Sequence, residues 1–242
     1  MLLYMSKMIK SSNYHLVNNF PNNFSTFRRV LSNIAFFILT TKITGRQNRL
    51  TQEDFISAKE IAQKGDVILV GDFRRISRFF TGEFFTHSLL YAGNNKCIHA
   101  NVDGVNTILF EKLFEEYDTL LIMRPKIKNN FNKTIDRVIA SASNKIGLAY
   151  NFYFEHRHDR YICTQLIESS FQESGININI RAKHKTTEGR FRIFSRMRRI
   201  VKADDFLKGD FKILFVSKEI KKQEYFSGKK KSATQAILRA NL

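Results

Sequence analysis

The chain has 242 residues, 43% of them hydrophobic, enough for one medium domain with appendages and no more than two small domains. Its 40 Lys and Arg against 22 Asp and Glu leave a formal charge of +18, a field that favours anionic partners: phospholipid surfaces, nucleic acid or acidic proteins. Two cysteines, Cys97 and Cys163, exclude a disulfide framework and have no zinc-knuckle spacing.

The N-terminal segment, 1–50, begins with an Asn- and Ser-rich stretch to about Phe27 that shows no hydrophobic period and is expected to be loose. It lacks the basic start and prompt apolar run of a standard secretory signal, so a cytoplasmic or membrane-peripheral protein is expected. Val30 to Thr41 is apolar and follows Arg28-Arg29, but it is short of the roughly 20 residues that span a bilayer. A buried or interfacial helix is expected there.

The central region, 51–220, reads as one α+β core. Thr51 with Asp54 three positions on caps a helix to Gln63, which Gly65 stops. Asp66 to Val70 is a short buried strand, Phe84 to Ala92 a second, and Gly93-Asn94-Asn95 a turn into Lys96 to Ala100. Val105 to Phe110 and Thr119 to Met123 continue the run. Strands so closely spaced favour an antiparallel sheet over crossovers. The period then becomes helical at Phe131, Ile135, Val138, Ile139, Ala142 and Ile146, with Gly147 after it. A second helix begins at Cys163, carries Leu166, Ile167 and Phe171 on one face, and closes at Gly175. Lys212 to Ser217 returns a last strand, and 221–242 is a basic tail.

Two placements suggest chemistry. His87 lies in a strand where an apolar residue would be the ordinary choice. Cys163 lies at a helix start, where N–H groups and the positive dipole end stabilise a thiolate and lower its pKa from about 8.5. A strand-borne imidazole opposite such a thiol completes a Cys–His pair. Taken alone, a core histidine and a structural cysteine are the commoner reading of the same two residues.

Their surroundings decide between these readings. Lys64-Gly65-Asp66-Val67-Ile68-Leu69, Phe85-Thr86-His87-Ser88-Leu89-Leu90-Tyr91, Cys97-Ile98-His99-Ala100, Leu121-Ile122-Met123-Arg124-Pro125, Gly147-Leu148-Ala149-Tyr150-Asn151-Phe152, Tyr161-Ile162-Cys163-Thr164-Gln165 and Ala203-Asp204-Asp205-Phe206 follow one another in that order. Together they resemble the circularly permuted NlpC-type papain-like cysteine hydrolases, the YiiX/YebB-like branch, over roughly residues 60 to 216. The chain departs from that pattern at Asn151 for Asp, Thr164 for Ser, Ala203 for Pro and His99 for Glu.

The resemblance implies a permuted papain-like α+β fold, with an antiparallel sheet packed against helices. It implies a hydrolase or acyltransferase acting on amide or acyl (thio)ester bonds through a thioacyl-enzyme, with Cys163 as nucleophile and His87 as base. His99 becomes the candidate for orienting the imidazole, and Tyr150 for a hydroxyl near the oxyanion. Substrates would be peptides, cell-wall fragments or lipid acyl groups, with no cofactor and no metal. His156 and His158 read as exposed loop residues rather than ligands. A zinc site of Cys97, His99, His87 and Cys163 would fill the groove, which disfavours it.

From Arg181 to Lys202 nine Lys or Arg alternate with apolar residues against one acid, Glu188. This run suits an anionic membrane surface or an acidic protein; nucleic acid is disfavoured because no nucleic-acid motif accompanies it. The alternative reading of the whole is a catalytically silent, cationic, membrane-associated binding module with the same fold.

Overall fold

The computed structural model describes residues 16, 17, 20, 22, 24–40, 47–74, 84–151, 158–180 and 201–220. The basic stretch 181–200, the tail 221–242 and His156 lie outside the described residues.

Six strands form one antiparallel sheet in the order β4-β3-β2-β1-β5-β8. They are β1 (Val67–Gly71), β2 (His87–Gly93), β3 (Lys96–Asn101), β4 (Gly104–Leu109), β5 (Thr119–Pro125) and β8 (Phe211–Val216). A separate parallel pair joins β6 (Ala149–Tyr150) to β7 (Arg160–Tyr161). Helices α1 (Thr26–Thr40), α2 (Gln52–Ile61), α3 (Leu113–Glu116), α4 (Phe131–Ser143) and α5 (Cys163–Glu173) complete the order, with a 3₁₀ turn at Ala203–Lys208 before β8. This is the antiparallel sheet with helices that the strand spacing suggests.

Both faces of the sheet are covered, and strand alternation sorts the residues. Val67, Leu69, Leu90, Ile98, Ala100, Leu121 and Met123 share one core with Ile135 and Val138 of α4 and Leu166, Ile167 and Phe171 of α5. Ile68, Val70, Leu89, Cys97, Leu120 and Ile122 share the other with Ala58 of α2 and Leu113 and Phe114 of α3. The wholly apolar β1 follows from its place between the two cores: all five of its residues are buried.

Helix ends follow local chemistry. In α2, Thr51 Oγ1 accepts from the Asp54 N–H at 3.1 Å, and the Asp54 carboxylate takes the Thr51 N–H at 3.0 Å. Gly65 then turns the chain into β1 at φ +92°, and a Cβ there would stand 2.5 Å from the Ile135 side chain. The buried Asp66 carboxylate grips the Arg124 guanidinium through two bonds, 2.8 and 2.9 Å, joining the entry of β1 to the end of β5. The Gly-Asp and Arg-Pro motifs are thus two halves of one contact.

Two expectations need correction. Phe84, Phe85 and Thr86 precede β2 rather than belonging to it, because the Phe84 and Phe85 N–H groups donate to the Asp204 carboxylate (3.2 and 2.8 Å) instead of a neighbouring strand. His87 therefore opens the strand instead of sitting in its middle. The described residues before Phe27 also pack in part, which their composition does not suggest. Helix α1 starts at Thr26, and Val17, Phe20 and Phe24 form a small buried cluster that Tyr150 and Val102 cover.

Candidate functional site

Cys163 is the first residue of α5 and is partly buried, whereas Cys97 lies wholly inside the core. Burial pushes the Cys97 thiol upward, away from any thiolate role. The helix that carries Cys163 is fixed by fully buried Leu166, Ile167 and Phe171, each worth about 1.5–3 kcal/mol of burial. Its ladder opens with the Leu166 N–H on the Ile162 carbonyl at 3.0 Å, so the N–H groups of Cys163 and Thr164 come before it.

The first turn is braced from outside. Gln165 Oε1 accepts the Ile162 N–H at 3.3 Å and the Asn151 side-chain N–H at 2.9 Å. Thr164 Oγ1 donates to the Val201 carbonyl at 2.8 Å. Asn151, which stands where the resembling family has Asp, is fully buried and also donates its backbone N–H to Tyr161 at 3.1 Å. Tyr150 lies close enough to feel the charge of Cys163. Burial first, and that charge second, raise the phenol, so its hydroxyl keeps its proton.

His87 and His99 meet directly: His87 Nε2 lies 2.8 Å from His99 Nδ1, with the rings tilted by 73°. Register explains the meeting. Leu90 pairs with Ile98, so the next step puts Leu89 opposite His99 and His87 diagonal to it on the same face. Tyr117 stacks on His87 with centroids 6.3 Å apart and planes 9° from parallel. His99 is buried, and its pKa falls from the ordinary 6.5 to about 4. Desolvation is the cause, opposed by the neighbouring Asn106 amide and by the charge of Asp103. His99 is therefore a neutral ring at neutral pH.

Alternation places the two histidines on the face of Leu89 and Cys97, while α5 packs on the opposite one. Gly147 and Leu148 exchange backbone bonds with Val105 at the start of β4. The β6–β7 pair, and Cys163 just after it, therefore sit at the end of the sheet where the β3–β4 turn and His87 also lie. His158 is exposed, and among the described residues no three His, Cys, Asp or Glu side chains gather as metal ligands would.

Sequence reasoning missed Asn106, Tyr117 and Asp204 as neighbours of the site. Asn106 was within reach: it shares strand parity with Ile108, and the Gly104 turn fixes which β3 residue it faces. Tyr117 carried no local signal, and Asp204 lay inside the Ala203-Asp204-Asp205-Phe206 motif with no role attached to it.

No curated protein matches the chain. Among solved structures it is similar to the metalloprotein YiiX of Escherichia coli O157:H7, at 17% identity and a TM-score of 0.41, over 49% of this chain and 69% of that one. The sequence model described as "Permuted papain-like amidase enzyme, YaeF/YiiX, C92 family" matches residues 61–207, more than half of the chain and nearly all of the main sheet. That span runs from the end of α2 to the 3₁₀ turn bearing Asp204 and includes His87, His99 and Cys163, so the chain belongs to the permuted papain-like amidase family.

Proposed function

We propose that the protein is a cysteine amidase in which Cys163 and His87 act together round the end of the sheet. The observation that carries this reading is the 2.8 Å contact between His87 Nε2 and His99 Nδ1. It supports an orienting partner on one nitrogen of His87, and in this reading the other, Nδ1, serves the thiol. Cys163 Sγ attacks the carbonyl carbon as its proton passes to His87 Nδ1. The C–N bond breaks, and the same proton goes to the leaving amine. Water then attacks the thioester, gives its proton to His87, and releases acid and free thiol. The Cys163 N–H at the helix start and the Tyr150 hydroxyl are the donors offered to the oxyanion. Transfer to an acceptor other than water uses the same first half.

The test is alkylation of the intact protein with limiting iodoacetamide near neutral pH, followed by mass mapping. Cys163 should label selectively and lose that advantage in His87→Ala, while Cys97 reacts slowly. Equal labelling of both cysteines, or faster labelling of Cys97, overturns the assignment.

A second observation favours work at a membrane surface. On α1, Phe27, Val30, Leu31, Ile34 and Ile38 are all exposed and fall on one helical stripe, with Arg28 and Arg29 beside it. In a chain of charge +18, such a stripe suits the headgroup boundary of an anionic bilayer. The full chain should float with anionic but not neutral vesicles, more weakly as salt screens charges over about 8–10 Å, and Ile34→Glu should release it. Flotation unaffected by Ile34→Glu removes α1 from the contact and leaves it to the basic run 181–202.

A further inference from the structure

We propose that Phe24, together with Val17 and Phe20, is a positioning residue that holds Tyr150 beside the start of α5, from a segment that precedes the family-matched span. The inference rests on reading Cys163 as the nucleophile and Tyr150 as a donor to the oxyanion.

Asn33 lies in the apolar part of α1, where a hydrocarbon side chain would serve the helix better. Its amide is used to hold the chain that comes before. Oδ1 accepts the Val17 N–H at 2.9 Å, while Nδ2 donates to the Val17 carbonyl at 3.2 Å and to the Arg29 carbonyl at 3.1 Å. The Val17 N–H can only donate, so the amide has one orientation. One side chain of α1 thus pairs with both backbone groups of Val17, as a neighbouring strand would. Val17 is buried there with Phe20 and Phe24, whose rings stack with centroids 5.4 Å apart and planes 26° from parallel.

Against this cluster pack Val102 and Tyr150. Val102 sits in the turn between β3 and β4, just beyond His99. Tyr150 pairs with Tyr161 in the β6–β7 ladder, and Cys163 opens α5 just after it. Beside Tyr150, Asn151 donates its backbone N–H to the Tyr161 carbonyl at 3.1 Å and its side-chain N–H to Gln165, in the first turn of α5, at 2.9 Å. The backbone of Tyr150 is therefore tied to the helix of the nucleophile. Its side chain packs against both the main core and the N-terminal cluster. A two-residue strand fixes where a side chain begins and leaves its rotamer to packing. The family likeness covers residues 61–207, so part of that packing comes from outside it. Without the cluster the phenol keeps its backbone anchor and gains rotamer freedom. Its hydroxyl is then less often where an oxyanion forms.

The test compares two reagents on the intact protein. With p-nitrophenyl acetate, Cys163 Sγ attacks the carbonyl carbon, an oxyanion forms and collapses, and p-nitrophenolate leaves with the bonding pair. Iodoacetamide alkylates by displacing iodide, and no oxyanion develops. Phe24→Ala should slow acetylation of Cys163 roughly tenfold, part of the 10²–10³ that one oxyanion donor supplies, with alkylation of Cys163 unchanged. Phe24→Leu refills most of the space and should recover most of the rate. In a Tyr150→Phe background, itself slow to acetylate, Phe24→Ala should add nothing. Asn33→Ala leaves every ring in place but releases Val17, and should show the same split at roughly threefold.

Wild-type acetylation in a folded Phe24→Ala overturns the proposal. Equal slowing of acetylation and alkylation overturns it too, because the cluster then supports the fold or the thiol and not the donor. So does a further loss of the same size in the Tyr150→Phe background. If Phe24→Ala fails to fold, wild-type acetylation in Asn33→Ala has the same force. Acetyl mapped in the wild type to a residue other than Cys163 is a different failure, which removes the nucleophile and the proposal with it.

Discussion

Lowering the pH from about 7 to about 5 should destabilise the protein through His99 in particular. The unfolded ring takes up a proton near its ordinary 6.5, whereas the folded ring resists protonation down to about 4. Between those values the unfolded chain binds the extra proton, so stability falls as pH falls through this window. The contribution is fully present above about pH 6.5 and exhausted below about pH 4. With these two constants, the loss between pH 7 and pH 5 comes to about 2 kcal/mol from this one ring. Other titrating groups contribute as well, so the measurement is a difference of differences. Urea unfolding at both pH values, on wild type and on His99→Gln, isolates the ring. Wild type should lose about 2 kcal/mol more than the variant. Equal losses would refute the argument, since they would mean His99 is solvated enough to titrate normally.

Two further outcomes follow from the buried polar contacts. Arg124→Met strands the fully buried Asp66 carboxylate and should cost about 3 kcal/mol in urea unfolding; the double variant with Asp66→Asn should recover part of it, and a single-variant loss below about 1 kcal/mol would contradict the contact. Asp204→Ala should cost about 1–3 kcal/mol through two stranded N–H groups and slow Cys163 alkylation at unchanged Cys97 reactivity; an unaltered Cys163 rate would detach Asp204 from the placement of His87.

What could be read in the sequence was whatever local chemistry dictates. The Thr51–Asp54 cap, the helical periods of α4 and α5, and the wholly apolar β1 each depend on residues a few positions apart, and each stands where expected. The motifs Gly65-Asp66 and Arg124-Pro125 were visible as a family likeness, but the bond joining them spans 58 residues and has no local signature. The same holds for the start of β2. Phe84 and Phe85 have every propensity for a strand, and only a carboxylate 119–120 residues away takes their donors instead. His99 was reachable because strand parity and a short turn place it beside His87. Asn106, opposite it in the β3–β4 register, demanded one more step. Helix α3 was hidden because its four residues carry no period.

The Asp204 clamp has a consequence for biosynthesis. His87 and Cys163 both precede Asp204 in the chain, and synthesis delivers domains N-terminus first. A nascent chain that has already made its thiol and its imidazole still lacks the carboxylate that ends the strand at His87, and it lacks β8 as well, the last strand of the sheet. The start of β2 at His87 is therefore fixed only after Asp204 has been made, well after the strand itself.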